Sequence, residues 1–352
     1  MAIRQYISDA GRKHTIFGGS AARGFCYSAD MVKADEMFDI TVVGAGPVGL
    51  YAAYYAGLRE CRTKLIETYP QVGGRLISMY PEKEIFDVAG HRSIVAAELI
   101  RELTAQAMQY GPTVVLNERV TGLRILGEHV IELTTPAGVH YSQTVILAAG
   151  CGAFVPRKLD IPNLIDFEGH GIFYFLPSFE PLRGKKVLIV GGGNSAVDWA
   201  LSLDGIASQV TLCHRMYKWH AHEAMVHRLL SSNVRVKFPY FTLKEVLGEE
   251  NVTGAVIWNE RSGLEETIEV DAIVLSIGML TNIEPFREWG LNIVGSGIAV
   301  APDMSTNLPG VYAAGDIVTY PGKVLLITAG SGEAATAVNT AKEYIISDEL
   351  GR

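Results

Sequence analysis

The chain has 352 residues, more than one ordinary hydrophobic core accommodates and suited to two domains of common size. Its formal net charge of −8 excludes a nucleic-acid backbone binder, which needs a basic face, and 48% hydrophobic against 19% charged residues excludes a disordered chain. The four cysteines, Cys26, Cys61, Cys151 and Cys213, form no CxxC pair, which removes a local zinc knuckle or vicinal dithiol and fits reduced thiols in a cytoplasmic protein.

Residues 1–36 carry mixed charge without an apolar h-region and read as an N-terminal extension, not a secretory signal. The apolar run from Ile40 to Leu58 is broken by Gly44, Gly46, Pro47, Gly49 and Gly57, so it predicts strand, turn and helix rather than a membrane span. This first unit has a strand at Phe38–Val43, the turn Gly44–Gly49, a helix to Gly57 and a second strand at Thr63–Glu67. In such a GxGxxG turn the first glycine permits the bend, the second lets backbone approach a pyrophosphate, and the third lets helix pack on strand. Glu67 follows Gly44 by 23 positions, near the spacing at which an acid accepts hydrogen bonds from a ribose.

A helical stretch follows at Ser93–Tyr110, then alternating segments at Arg119–Leu126, His129–Thr134 and His140–Leu147 that predict an antiparallel meander. Pro156 and Pro162 mark a linker into a second unit, with strand Lys186–Val190, turn Gly191–Ala196, helix to about Leu203 and strand Gln209–Cys213. Its turn offers Gly191, Gly193, Asn194, Ser195 and Ala196, the alanine being small enough for close packing. Here the offset of 23 from Gly191 lands on His214-Arg215, with Lys218 beyond, where the first unit has an acid. Cations there suit a 2′-phosphate, so the second nucleotide reads as NADPH rather than NADH. A parallel pattern is expected to recur at Gly254–Trp258, Thr267–Val270 and Ile273–Ile277, and Val311–Ala314 with a helix from about Ser331 to return to the first domain.

The duplication predicts an α/β chain of two doubly wound, Rossmann-like, three-layer dinucleotide-binding domains, the NADPH domain inserted into the other. The expected boundaries are 37–152 with 279–352 for the first domain and 153–278 for the NADPH domain. Two nucleotides meeting at one centre carry the redox chemistry themselves, so no protein acid or base is assigned as catalytic.

These residues, together with PQVGGRL (Pro70–Leu76), YPEKEIFDVAG (Tyr80–Gly90), NERVTGL (Asn117–Leu123), AAGCGAFVPRKL (Ala148–Leu159), HAHE (His220–Glu223) and GVYAAGDI (Gly310–Ile317), resemble the thioredoxin-reductase-like ferredoxin–NADP reductases over roughly Asp39–Ile346. The resemblance implies that Tyr80 stacks on the isoalloxazine, that Gly74, Val120 and Phe154 border FAD, and that Gly315 and Asp316 meet its ribityl or pyrophosphate part. It also implies that the NADPH domain is inserted into an FAD domain, with a hinge at Ala148–Pro156 and Ile277–Thr281, that a helix starting near Thr328 aims at the pyrimidine edge, that the chain is a homodimer, and that the one-electron partner is ferredoxin or flavodoxin.

The chain departs from its superfamily at three places. Where thioredoxin reductases carry a redox CxxC, residues 173–177 read Phe-Tyr-Phe-Leu-Pro, which excludes disulfide reduction by that route. Arg75 stands where the resemblance expects glutamine, either raising the flavin potential or pairing with a nearby carboxylate such as Glu82 or Glu84. The sequence ends at Arg352 without the tail that covers the flavin's outer face in relatives, which keeps NADPH oxidase, diaphorase or quinone reductase open as alternatives, beside a low-turnover FAD- and NADPH-binding sensor. The histidines His214, His220, His222 and His227 lack acidic or thiol partners at metal spacing, and no metal is expected. Cys151 and Cys213 are read as buried small hydrophobes.

Overall fold

The computed structural model describes residues 36–150 and 152–349; the expected N-terminal extension and Cys151 lie outside them. Strand Met37–Val43 is buried from Ile40 to Val43 and lies at the middle of the first sheet, because its Ile40, Val42 and Val43 project apolar side chains to both faces. It pairs in parallel with Thr63–Ile66 and with Gly138–Leu147, and Thr113–Val115 extends the sheet beyond Thr63–Ile66. The antiparallel meander Gly122–Gly127, Val130–Thr135, Gly138–Leu147 is built onto the other side. The last strand divides its partners: residues 138–142 pair with the meander, and residues 145–147 pair in parallel with Val311–Ala313. Helices α1 (Pro47–Leu58), α2 (Gly74–Met79) and α3 (Ala96–Met108) follow the first strands, and α1 and α3 pack on one face of this sheet.

The second sheet is wholly parallel, in the order Ile172–Phe173, Ala272–Leu275, Lys186–Val190, Gln209–Cys213, Arg235–Lys237. Helix α4 (Asn194–Leu203) buries Ala196, Val197, Trp199, Ala200 and Leu203 against it, and α5 (Glu223–Leu230) packs on α4. On the opposite face lies a sheet that corrects the expected strand direction: Phe241–Gly248, Val252–Asn259 and Glu265–Glu269 are antiparallel. Only Ala272–Leu275, which overlaps the expected Ile273–Ile277 segment, is parallel. The antiparallel sheet buries Leu243, Val246, Ala255 and Ile257 against Leu188 and Val190, completing three layers.

The chain passes between the two sheets on Ala153–Pro156 and Met279–Asn282, which pair with each other antiparallel. After the short helix α6 (Glu284–Glu288) it rejoins the first sheet through Val311–Ala313, and α7 (Ile327–Glu349) closes over α1. Helix α7 begins four residues before the expected Ser331. Among the described residues no helix is long and apolar enough to cross a membrane.

Candidate functional site

The first glycine turn shows three distinct uses of its glycines. Gly44 sits at φ +104°, and a Cβ there would lie 2.5 Å from the Ala148 carbonyl oxygen, so strand and turn fit only without one. A Cβ on Gly49 would lie 1.8 Å from the Gly44 oxygen, which is why helix α1 can start so close to the strand. Gly46 has open space beside it and faces a cleft of about 880 Å³. It is also the N-cap of α1, with no capping side chain, with Pro47 as the first helical residue and no acid in the first turn. The unpaired N–H groups at this end suit an anion such as a pyrophosphate.

Glu67 stands at the end of the adjacent strand, 5% exposed. Its Oε2 accepts from the Ala45 N–H at 2.8 Å and its Oε1 from the Tyr69 N–H at 3.0 Å. Both oxygens are thereby fixed at the cleft wall, each with acceptor capacity left for hydroxyls. The same cleft is lined by Gly74, Arg75, Tyr80, Val120, Gly315 and Asp316, so these expected FAD contacts converge. Phe154 is described by its backbone, which pairs with Thr281.

Two of these residues take partners that sequence reasoning did not assign. Arg75 Nη2 contacts Asp316 Oδ2 at 2.9 Å, not the expected Glu82 or Glu84, and so links α2 to the turn after Val311–Ala313. Glu82 accepts instead from the Phe179 N–H and the Ser178 hydroxyl, and Glu84 from Ser93. Behind Asp316, the buried Glu333 of α7 accepts from the Gly315 N–H at 2.7 Å and the Tyr320 hydroxyl at 2.6 Å, and it pairs with the buried Lys323. Thr328 is turned away from the cleft: its hydroxyl donates to the Asp87 carbonyl and accepts from the Ala89 N–H. Ile327 lines the cleft in its place, and the Asp87 carboxylate accepts the Ile327 N–H at 2.8 Å, occupying the positive end of α7.

The second turn repeats the first in its sterics. Gly191 at φ +149° would place a Cβ 2.2 Å from the Ser276 oxygen, and Gly193 has open space. Gly193 is the uncapped N-cap of α4, leaving Asn194 and Ser195 exposed and Ala196 buried. Segment 214–222 wraps this turn, with the His220 N–H donating to Gly192 O and the His222 N–H to Asn194 Oδ1. Arg215 and Lys218 are exposed beside it, open to a ligand.

His214 is placed differently from its expected role on phosphate. It is 5% exposed, stacked on Phe238 and next to Trp219, with Nε2 hydrogen-bonded to Lys218 O at 3.0 Å. A Cβ on Gly192 would strike its ring, so the imidazole fills the space beneath the turn. Burial pushes its pKa down and favours the neutral ring, which supports the loop rather than offering a phosphate a cation. The neighbouring Cys213 thiol is pushed up to about 12 by burial and is inert, as a buried small hydrophobe should be.

The cleft also contains residues that sequence reasoning passed over. Glu118 lines its far end and accepts from the Thr135 hydroxyl at 2.6 Å, with its Oε2 2.9 Å from His140 Nε2; these bonds hold its carboxyl below the usual range. Lys83, Asp198, His222 and Met225 line the side toward the second unit. Among the described residues no three His, Cys, Asp or Glu side chains group closely enough to hold a metal ion.

The profile of the family described as pyridine nucleotide-disulphide oxidoreductase matches residues 38–341. The chain is 47% identical over 316 residues to ferredoxin–NADP reductase 2 of Shouchella clausii, covering 90% of this chain and 96% of that one. It is 45% identical over 310 residues to the ferredoxin–NADP reductase of Geobacillus thermodenitrificans, covering 88% and 93%. Among solved structures it resembles the thioredoxin reductase of Lactococcus lactis, with a TM-score of 0.78 at 25% identity over 88% of this chain and 99% of that one.

Proposed function

The chain belongs to the pyridine nucleotide-disulphide oxidoreductase family, and from that premise we propose that it is an FAD-dependent reductase exchanging electrons between NADPH and ferredoxin or flavodoxin. The observation that carries this reading is a difference between two otherwise equivalent turns. Glu67, held by two backbone N–H groups, faces the first, and exposed Arg215 and Lys218 flank the second. A carboxylate selects ribose hydroxyls, and a guanidinium with an ammonium selects a 2′-phosphate.

On this reading residues 37–152 with 279–352 form the FAD unit and residues 153–278 the NADPH unit. Gly44, Gly46, Pro47, Gly49 and Glu67 hold the adenosine and pyrophosphate of FAD, while Gly74, Arg75, Tyr80, Val120, Phe154, Gly315, Asp316 and the start of α7 at Ile327, beside the expected Thr328, frame its remainder. Gly191, Gly193, Asn194, Ser195 and Ala196 receive the NADPH pyrophosphate, with Arg215 and Lys218 on its 2′-phosphate and His214 beneath. Bound FAD supplies the conversion between two-electron hydride chemistry and one-electron steps; the protein's part is alignment, desolvation and charge.

A homodimer and a cytoplasmic location belong to the same reading and rest on the resemblance to ferredoxin–NADP reductases. Sedimentation of the purified protein checks the first. The function is tested by anaerobic stopped-flow reduction with NADPH and with NADH, followed by reoxidation with a panel of acceptors. The reading expects fast reduction by NADPH and fast ferredoxin- or flavodoxin-dependent reoxidation. Rapid turnover with oxygen or quinone but not with either carrier would make the chain an oxidase or quinone reductase, and binding without turnover would make it a sensor.

A further inference from the structure

The two units are joined covalently by the paired segments Ala153–Pro156 and Met279–Asn282. A two-strand connection of this kind leaves the relative orientation of two domains to the noncovalent contacts between them. Those contacts concentrate on one short segment, Tyr80-Pro81-Glu82-Lys83, which follows α2 and borders the flavin-side cleft.

This segment is held rigidly from below. At the start of α3 the Ala96 N–H donates to Lys83 O and the Ala97 N–H donates to Pro81 O, both at 2.9 Å. From that base it reaches the second unit three ways. Lys83 Nζ meets Asp198 Oδ2 of α4 at 2.7 Å, with the two side chains only 13% and 14% exposed. Glu82 accepts from the Phe179 N–H at 2.8 Å and the Ser178 hydroxyl at 3.0 Å. Tyr80 meets the edge of Trp199, ring centroids 6.1 Å apart, and the Lys83 ammonium lies 5.3 Å from the Tyr80 ring and 5.8 Å from the Trp199 ring.

An exposed ion pair contributes little, but this one is largely shielded from solvent and is joined by a backbone bond and a ring contact. Its location matters more than its strength. Asp198 lies one helical turn after Asn194, on the same side of α4, and both line the cleft that Tyr80 borders. A nucleotide gripped at the start of α4 is therefore aimed into that cleft while Asp198 stays on Lys83.

We propose that Lys83 and Asp198 are a positioning pair, a clasp that holds the NADPH-binding unit docked against the flavin-side cleft. The proposal rests on the two-nucleotide reading above. It assigns to the pair no part in gripping either nucleotide, only in the angle at which the two units meet.

The test uses the full chain and three variants: Lys83→Met, Asp198→Asn, and the reversed pair Lys83→Asp with Asp198→Lys. Small-angle scattering reads the docking without reference to any cofactor, and anaerobic single-turnover reduction by NADPH reads its consequence. Each single variant is expected to shift the scattering curve to a larger radius of gyration. Each is also expected to lower the limiting rate of flavin reduction about tenfold, in the range for directly coupled pairs, with unchanged half-saturation by NADPH and unchanged flavin potential. The reversed pair is expected to recover both the wild-type curve and most of the rate. Single variants that scatter like the wild type overturn the clasp, and so does a reversed pair no better than the singles. Should the purified chain bind no FAD, the functional reading fails by that result, while scattering still decides whether the clasp exists.

Discussion

Replacing Glu67 by glutamine is the sharpest probe of the first nucleotide site, because it changes charge and one hydrogen-bonding role while preserving shape. In the native chain both carboxylate oxygens accept backbone N–H groups, at 2.8 Å from Ala45 and 3.0 Å from Tyr69, in a position 5% exposed to solvent. A glutamine satisfies one of them with its oxygen and turns its NH2 toward the other, leaving a buried donor facing a donor. An unsatisfied buried donor costs about 1–3 kcal/mol, so the apoprotein should melt several degrees lower. The ribose hydroxyls also lose a charged acceptor, worth about 1–2 kcal/mol beyond a neutral one, and FAD affinity should fall about tenfold or more. Fluorescence titration of apoprotein with FAD gives the affinity, and scanning calorimetry with and without FAD separates the two losses. A variant that loses melting temperature but binds FAD within about threefold of wild type would show that Glu67 serves only the turn, and the ribose assignment would fall.

Arg215→Ala should lower kcat/KM for NADPH by about 10- to 100-fold, the worth of a bidentate charge-assisted contact, with less than about twofold change for NADH; equal losses with both nucleotides would refute the 2′-phosphate assignment. Arg75→Gln should lower the flavin midpoint potential by about 30 mV, because it strips the cation from Asp316 beside the flavin site, and adding Asp316→Asn should return it toward wild type; a dye-coupled titration that finds no change removes Arg75 from the tuning of the flavin. His214 has a folded pKa lowered by burial, so its neutral ring contributes stability that is complete above its ordinary value near 6.5 and is lost as pH falls through the folded value. Wild type should consequently lose more melting temperature than His214→Phe between pH 7 and pH 5, and parallel slopes would show that the ring is not the titrating group.

The duplicated units were legible because each compresses a whole folding instruction into about thirty residues. A β-branched strand, a turn whose first residue admits no Cβ and an alanine-rich helix leave few alternatives, and Lys186–Val190, Gln209–Cys213 and the end of α4 at Leu203 fall where the pattern placed them. Strand direction in 241–269 was not legible. Alternation along Val252–Asn259 specifies which side chains are buried, not which way the neighbour runs, and its partner Phe241–Gly248 was not among the expected strands. His214 illustrates a second limit: its offset from Gly191 resembles that of a ligand-binding residue, yet whether a ring at that offset faces solvent or lies beneath the turn depends on Phe238 and Trp219. Thr328 illustrates a third, since the helix start is fixed by the Asp87 carboxylate, some 240 residues away in sequence.

That distance reveals how the first site is assembled. Its two halves come from opposite ends of the chain, and two of the crossings are made by side chains whose charge is answered. Asp87 meets the N–H groups that open α7 and Arg75 meets Asp316, while within the C-terminal half Glu333 meets both Lys323 and the Gly315 N–H. The last of these is the most buried, with the Lys323 and Glu333 side chains 8% and 5% exposed, and such a pair is strongly destabilising to break from one side. Removing the Lys323 ammonium would leave the Glu333 carboxylate uncompensated directly behind the turn that presents Asp316. Lys323→Met should therefore cost about 3–5 kcal/mol of stability, whereas removing both charges in Lys323→Met with Glu333→Gln should recover most of it. The single variant should also release FAD more readily than its loss of stability alone explains, because Gly315 and Asp316 move with Glu333. Denaturant titration of the apoproteins gives the first comparison and FAD dissociation rates the second. A single variant that unfolds like wild type and retains FAD equally well would mean that this buried pair does not hold the turn that presents Gly315 and Asp316.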